Sequence, residues 1–108
     1  MLQFAEEREG QKLVVACLAE RDLGFIKMLA QKLTRHPNAI ALLACAGPQP
    51  SLVFAQSSGL SYDMGALMKQ TTQSLRTRGG GNRDMAQGGA PDGPSAERAL
   101  RDAARTIG

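Results

Sequence analysis

Two apolar runs separated by an amphipathic stretch constrain this chain more than any other feature. KLVVACLA, Lys12 to Ala19, is short, rich in aliphatic and β-branched residues, and closed by the charged ERD. It reads as a buried strand. AIALLACAG, Ala39 to Gly47, reads the same way. Between them Asp22 is placed to cap a helix over Leu23 to Arg35, where Ile26, Leu29, Ala30 and Leu33 recur at i, i+3, i+4, i+7. Lys32 and Arg35 suit the negative end of the helix dipole, and Pro37 stops the helix. Strand, helix and strand joined by links this short imply a parallel, right-handed crossover.

SLVFAQSS, Ser51 to Ser58, follows the turn PQP and reads as a third strand, antiparallel to the second. Asp63 is placed to cap a second helix whose inner face is Met64, Leu67, Met68, Thr71 and Leu75. A methionine pair at that spacing is core material rather than a ligand surface. Ser95 is the expected cap of a last helix, with Ala96, Ala99, Leu100, Ala103 and Ile107 in one stripe and Gly108 as its stop. Glu97 with Arg101 and Arg98 with Asp102 form i, i+4 pairs on its outer face. The fold class is therefore α/β, a small mixed sheet of three to five strands packed by about three helices. Residues 1–10 read as a lead-in segment, the end of an interdomain helix, and 11–108 as one domain.

Between the last two helices lies RTRGGGNRDMAQGGA, Arg76 to Ala90. Its glycines, residues 79–89, read as a loop, with Met85 to Gly89 adding a short edge strand. Residues 61–108 carry seven Lys/Arg against five acids, and Arg76, Arg78 and Arg83 are the densest patch. A modest excess focused on one loop, in a chain of net charge +3, fits contact with phosphate better than wholesale wrapping of nucleic acid. Gly79, Gly80 and Gly81 are free to adopt positive φ and turn their amides inward as an anion cradle. The alternatives are a plain tether and close packing of backbone against the sheet. No Lys-Ser/Thr follows the glycines, so this is not a P-loop.

Other chemistry finds little support. His36 is the only histidine, Cys17 and Cys45 lie in apolar runs without metal-ligand spacing, and no nucleophile has a base partner in sequence. The thiols read as buried and structural rather than disulfide-bonded. No cofactor is indicated, and the isolated chain reads as a binding module, not an enzyme. An aromatic fraction of 4%, with no Trp, disfavours a stacking platform of exposed rings. No apolar run is long enough to span a membrane and no export signal is present, so a cytoplasmic location is expected.

The run SYDMGALMKQ with GGGNRDMAQGG resembles the C-terminal DHH-associated domain of alanyl-tRNA synthetases and freestanding alanyl-tRNA editing proteins. The shared elements are Asp63 to Lys69, Gly79 to Gly81, and Asp84 to Gly89. The resemblance implies a tRNA-binding accessory domain of a ligase- or editing-hydrolase-related parent, contacting RNA through Arg76, Arg78, Gly79, Gly80, Gly81, Asn82, Arg83 and Gln87. It also implies a possible homodimer and, in the phosphoesterase branch, nucleotide recognition by the glycine loop. Synthetases commonly have Arg-Pro-Asp where this chain has Asn82-Arg83-Asp84, which favours the editing side of the family. The phosphoesterases place a histidine where Asn82 stands. The zinc cluster of the editing site belongs to a different domain.

Overall fold

The computed structural model describes residues 3–8, 11–18, 22–47 and 49–107. The chain runs β1 (Gln3–Arg8), β2 (Gln11–Leu18), α1 (Leu23–Leu33), β3 (Ala39–Cys45), β4 (Ser51–Gln56), α2 (Met64–Leu75), β5 (Gly79–Gly81), β6 (Met85–Gly89) and α3 (Gly93–Ile107). β2 and β3 pair in parallel from Lys12 opposite Ala39 to Leu18 opposite Cys45, with α1 as the crossover. β3 and β4 are antiparallel, as the short connection between them requires.

Asp22 caps α1 as expected, its carboxylate accepting from the Phe25 amide at 2.9 Å. The helix ends at Leu33, two residues before Arg35. Thr34 closes it, with its hydroxyl donating to the Ala30 carbonyl at 2.8 Å. Asn38 then turns the chain with φ 58°, a conformation asparagine tolerates, and its carbonyl accepts from the Lys12 amide at 2.8 Å. That bond ties the starts of the two parallel strands together.

Every residue of β3 is buried because helices cover both faces of the sheet. Ile40, Leu42 and Ala44 meet α2 and α3 with Phe54, Met64, Met68 and Leu100. Ala41, Leu43 and Cys45 meet Ile26 and Ala30 of α1. Each fully buried Leu or Phe here contributes roughly 1.5–3 kcal/mol by leaving water. Cys17 belongs to the first layer and Cys45 to the second, so the sheet itself separates these two free, buried thiols. Burial raises the Cys17 thiol pKa, and the charge of Glu97 pushes it further in the same direction.

Among the described residues the mixed sheet has six strands in the order β1-β2-β3-β4-β6-β5, one beyond the three to five expected. Residues 3–8, read as the end of a helix, instead pair antiparallel along β2 from Gln3 opposite Ala16 to Arg8 opposite Gln11. An otherwise open edge of β2 offers its backbone groups partners, and that outweighs local helix preference. α3 also starts earlier than expected. Asp92, not Ser95, is its cap, accepting from the Ser95 amide at 2.8 Å, and Pro94 sits in the first turn where its missing N–H costs nothing. Ala96, Ala99, Leu100 and Ala103 form the buried stripe, while the Ile107 side chain and Gly108 lie outside the described residues. Glu97 pairs with Arg101 at 3.2 Å, but Asp102 pairs with Arg105 at 3.6 Å rather than with Arg98. Both are exposed pairs of small energetic weight.

Candidate nucleic-acid interface

The glycine segment is a hairpin. Gly79 to Gly81 form β5, pairing antiparallel with β6 so that Gly79 faces Gly88, Gly80 faces Gln87 and Gly81 faces Ala86. β6 lies inside the sheet, between β4 and β5, and β5 is the edge strand. Gly59 alone among the described glycines has positive φ. The expected cradle of positive-φ, inward-turned amides is not formed: the three glycines are extended, with Gly80 paired to Gln87 and the outer side of β5 forming the sheet edge among the described residues.

Both ends of this hairpin are fastened to α2. At the closed end, Asn82 makes an Asx turn, its Oδ1 accepting from the amides of Asp84 at 3.0 Å and Met85 at 2.9 Å. The Arg83 carbonyl accepts from the Met64 amide at 2.9 Å, just after the cap in which Asp63 Oδ1 accepts from Ala66 at 3.0 Å. Gly65 permits this contact, since a Cβ there would lie 2.8 Å from the Gly81 carbonyl oxygen. Gln56, 2% exposed, organises the same corner. Its Nε2 donates to the carbonyls of Tyr62 at 2.6 Å and Arg83 at 3.0 Å and to Asp84 Oδ1 at 3.3 Å. Its Oε1 has no hydrogen-bond partner among the described residues.

At the open end, the Thr77 amide donates to the Thr72 carbonyl at 2.9 Å and its hydroxyl to the Gly89 carbonyl at 2.8 Å. Arg76 occupies the left-handed cap position of α2 with φ 59°. That position normally favours glycine or asparagine.

The three arginines are exposed but not clustered. Arg76 and Arg78 stand at the open end. Arg83 stands in the turn at the closed end, its Nε donating to the Tyr62 carbonyl at 3.3 Å. At roughly 3.4 Å per strand residue, the two ends lie on the order of 13 Å apart.

The glycines divide by what surrounds them. A Cβ on Gly88 would lie 2.7 Å from Thr72 Cγ2 and 2.8 Å from Met68 Sδ, and one on Gly79 would lie 2.8 Å from Thr72 Cγ2. One on Gly81 would run into the Met85 carbonyl and the Ala86 backbone. Those positions are glycine because α2 and the neighbouring strand press on them. A Cβ on Gly80 or Gly89 meets nothing within 4 Å. The strand register puts these two on the opposite face, the α1 side, where Gln87 lies opposite Val53 of the α1 layer. There Arg78, Gly79, Gly80 and Gln87 line an open recess of about 400 Å³ with Leu23, Ser51, Gly88 and Gly89. Of the residues expected at the interface, Gly81, Asn82, Arg83 and Arg76 do not line it. Sequence reasoning missed Gly65, Gln56, Ser51 and Gly89. A glutamine ending an apolar strand, SLVFAQ, was the signal available for Gln56.

Among the described residues no group of three or more His, Cys, Asp or Glu converges to hold a metal ion, and no helix is long and apolar enough to cross a membrane.

No protein-family model matches the chain. Alanine–tRNA ligases from two strains of Thermus thermophilus are each 30% identical to it over 95 residues, 88% of this chain. The chain is homologous to part of alanine–tRNA ligase. It spans 11% of the length of those ligases. Its fold is that of the C-Ala domain of Aquifex aeolicus alanyl-tRNA synthetase, with a TM-score of 0.74, 21% identity, and coverage of 93% of this chain and 96% of that one.

Proposed function

We propose that this chain is a tRNA-binding accessory domain of an alanyl-tRNA synthetase- or editing-related protein, of the DHH-associated type, acting in the cytoplasm. Its ligase relatives act on tRNA by their name. Arg76, Arg78 and Arg83 contact RNA phosphates along the β5–β6 hairpin, and the bare backbone of Gly79, Gly80 and Gly81 beside Gln87 lets the RNA approach closely. The carrying observation is that Gly80 has open space where a side chain would stand, next to the exposed Arg78. Packing does not require glycine there, whereas close approach of a ligand does. Phosphate contacts position an RNA without reading its sequence, so tRNA identity is read elsewhere.

The test is titration with alanine tRNA and an unrelated tRNA at several salt concentrations. Three phosphate contacts give a log–log slope of roughly −2, and the triple alanine variant of Arg76, Arg78 and Arg83 should bring it near zero. Binding unchanged in that variant would overturn the proposal.

A second reading, a structural or dimerisation module, is favoured by Gly79, Gly81 and Gly88, whose identity packing explains fully. It predicts a concentration-dependent dimer in light scattering together with no RNA binding at low salt.

A further inference from the structure

We infer that the recess on the α1 side of the hairpin takes one unstacked nucleobase of the bound RNA. The inference rests on the RNA-binding reading above and names the chemical group that the site receives. Gly80 and Gly89 are diagonal neighbours on β5 and β6, since Gly80 pairs with Gln87 and Gly89 lies two residues further on. Diagonal neighbours are about 7–8 Å apart, the scale of a purine ring system. A Cβ on either would project into free space, so together they make a floor of peptide planes with no side chain standing on it.

The walls have matching chemistry. Leu23, at the start of α1, gives one apolar side. Arg78 gives the other, and a guanidinium plane both stacks on a base and pairs with the adjoining phosphate. Gln87 is exposed, lines the same recess, and offers a carboxamide with one acceptor and two donors to a base edge. Ser51 adds a hydroxyl at the rim. A phosphate alone would need only the cation, and neither the bare floor nor the carboxamide would serve it. A planar, apolar-faced ring with a polar edge uses every part. It also removes the objection from the low aromatic content, because backbone here takes the place of an aromatic platform.

The experiment uses the full chain, alanine tRNA, and a short RNA hairpin carrying one unpaired 2-aminopurine. Gly80→Val and Gly89→Val fill the floor without changing charge, and valine suits a strand. Matching thermal melts of both variants and wild type establish that the fold is kept. The inference expects each variant to bind alanine tRNA about tenfold more weakly with an unchanged salt slope, and the 2-aminopurine fluorescence change seen with wild type to vanish. Val variants that bind like wild type, while Arg78→Ala still lowers the slope, would overturn the base site and leave phosphate contact standing. Wild-type protein that binds neither RNA at low salt would overturn both readings.

Discussion

At the residue scale, the glycines of this hairpin are not interchangeable. Gly81→Ala drives a methyl into the backbone of Met85 and Ala86, which cannot retreat as a flexible side-chain tip could. We expect a loss of about 1–3 kcal/mol, measured as a lower urea midpoint at constant m. Gly80→Ala, one position away, meets open space. It removes freedom mainly from the unfolded chain and should be neutral or stabilising by up to about 1 kcal/mol. Equal costs at the two positions would contradict the division of the glycines into packed and open. Arg76 supplies a complementary case. Held at φ 59° at the end of α2, it carries left-handed strain of about 1 kcal/mol or more. Arg76→Gly should raise the melting temperature while flattening the RNA salt slope by about 0.7, one phosphate contact. A residue that strains the fold and helps bind the ligand would separate these two readouts in opposite directions.

At the element scale, what the sequence made legible was whatever local chemistry decides. β2, β3 and β4 announced themselves as apolar runs because β3 and its neighbours are covered on both faces. Asp22 and Asp63 were readable as caps because a cap needs only its own first turn. The misreadings all involve a partner distant in sequence or an ambiguity within one turn. Residues 3–8 become a strand only because β2 has an edge to fill. Gly79 to Gly81 look like a loop until β6 lies beside them, and Gly65 looks unremarkable until the Gly81 carbonyl arrives 2.8 Å from its missing methyl. At α3 two candidate caps, Asp92 and Ser95, lie three residues apart, and the carboxylate prevails with its bond to the Ser95 amide. That bond, with the Ser95 side chain as a second donor, holds the Asp92 carboxyl below its ordinary range. A depressed carboxyl contributes stability above its unfolded pKa of about 3.9 and loses it as pH falls through the folded value. Asp92→Asn keeps a cap without the charge. The wild-type advantage over this variant in thermal melts should therefore be constant near neutrality and shrink below about pH 4. An advantage that persisted undiminished under acid would assign the cap to something other than the carboxylate.

At the scale of the whole molecule, the helices cover the sheet unequally, and that inequality leaves one face of the hairpin open. α2 and α3 share one face, with α2 lying across β5 and β6, whereas α1 alone packs the other against β3 and β4. The strands at the hairpin end are thus shielded on one side and open on the other, beside Arg78. α2 fixes the geometry of this end by fastening both termini of the hairpin, through Arg83 and Met64 at the turn and through Thr72, Thr77 and Gly89 at the mouth. Under the proposed RNA binding, Arg78 and Arg83 would act as two phosphate contacts on a ruler of roughly 13 Å rather than as one flexible basic loop. Contacts separated by more than about 7–10 Å with no shared partner add independently. Arg78→Ala and Arg83→Ala should each reduce the tRNA salt slope by about 0.7, and the double variant by about 1.4. Their free-energy losses should sum within about 0.5 kcal/mol. A floppy loop would behave otherwise, because losing one arginine would let the other reposition and the double variant would cost more than the sum. The coupling between these two substitutions therefore measures whether the glycine segment acts as the strand pair its hydrogen bonds describe.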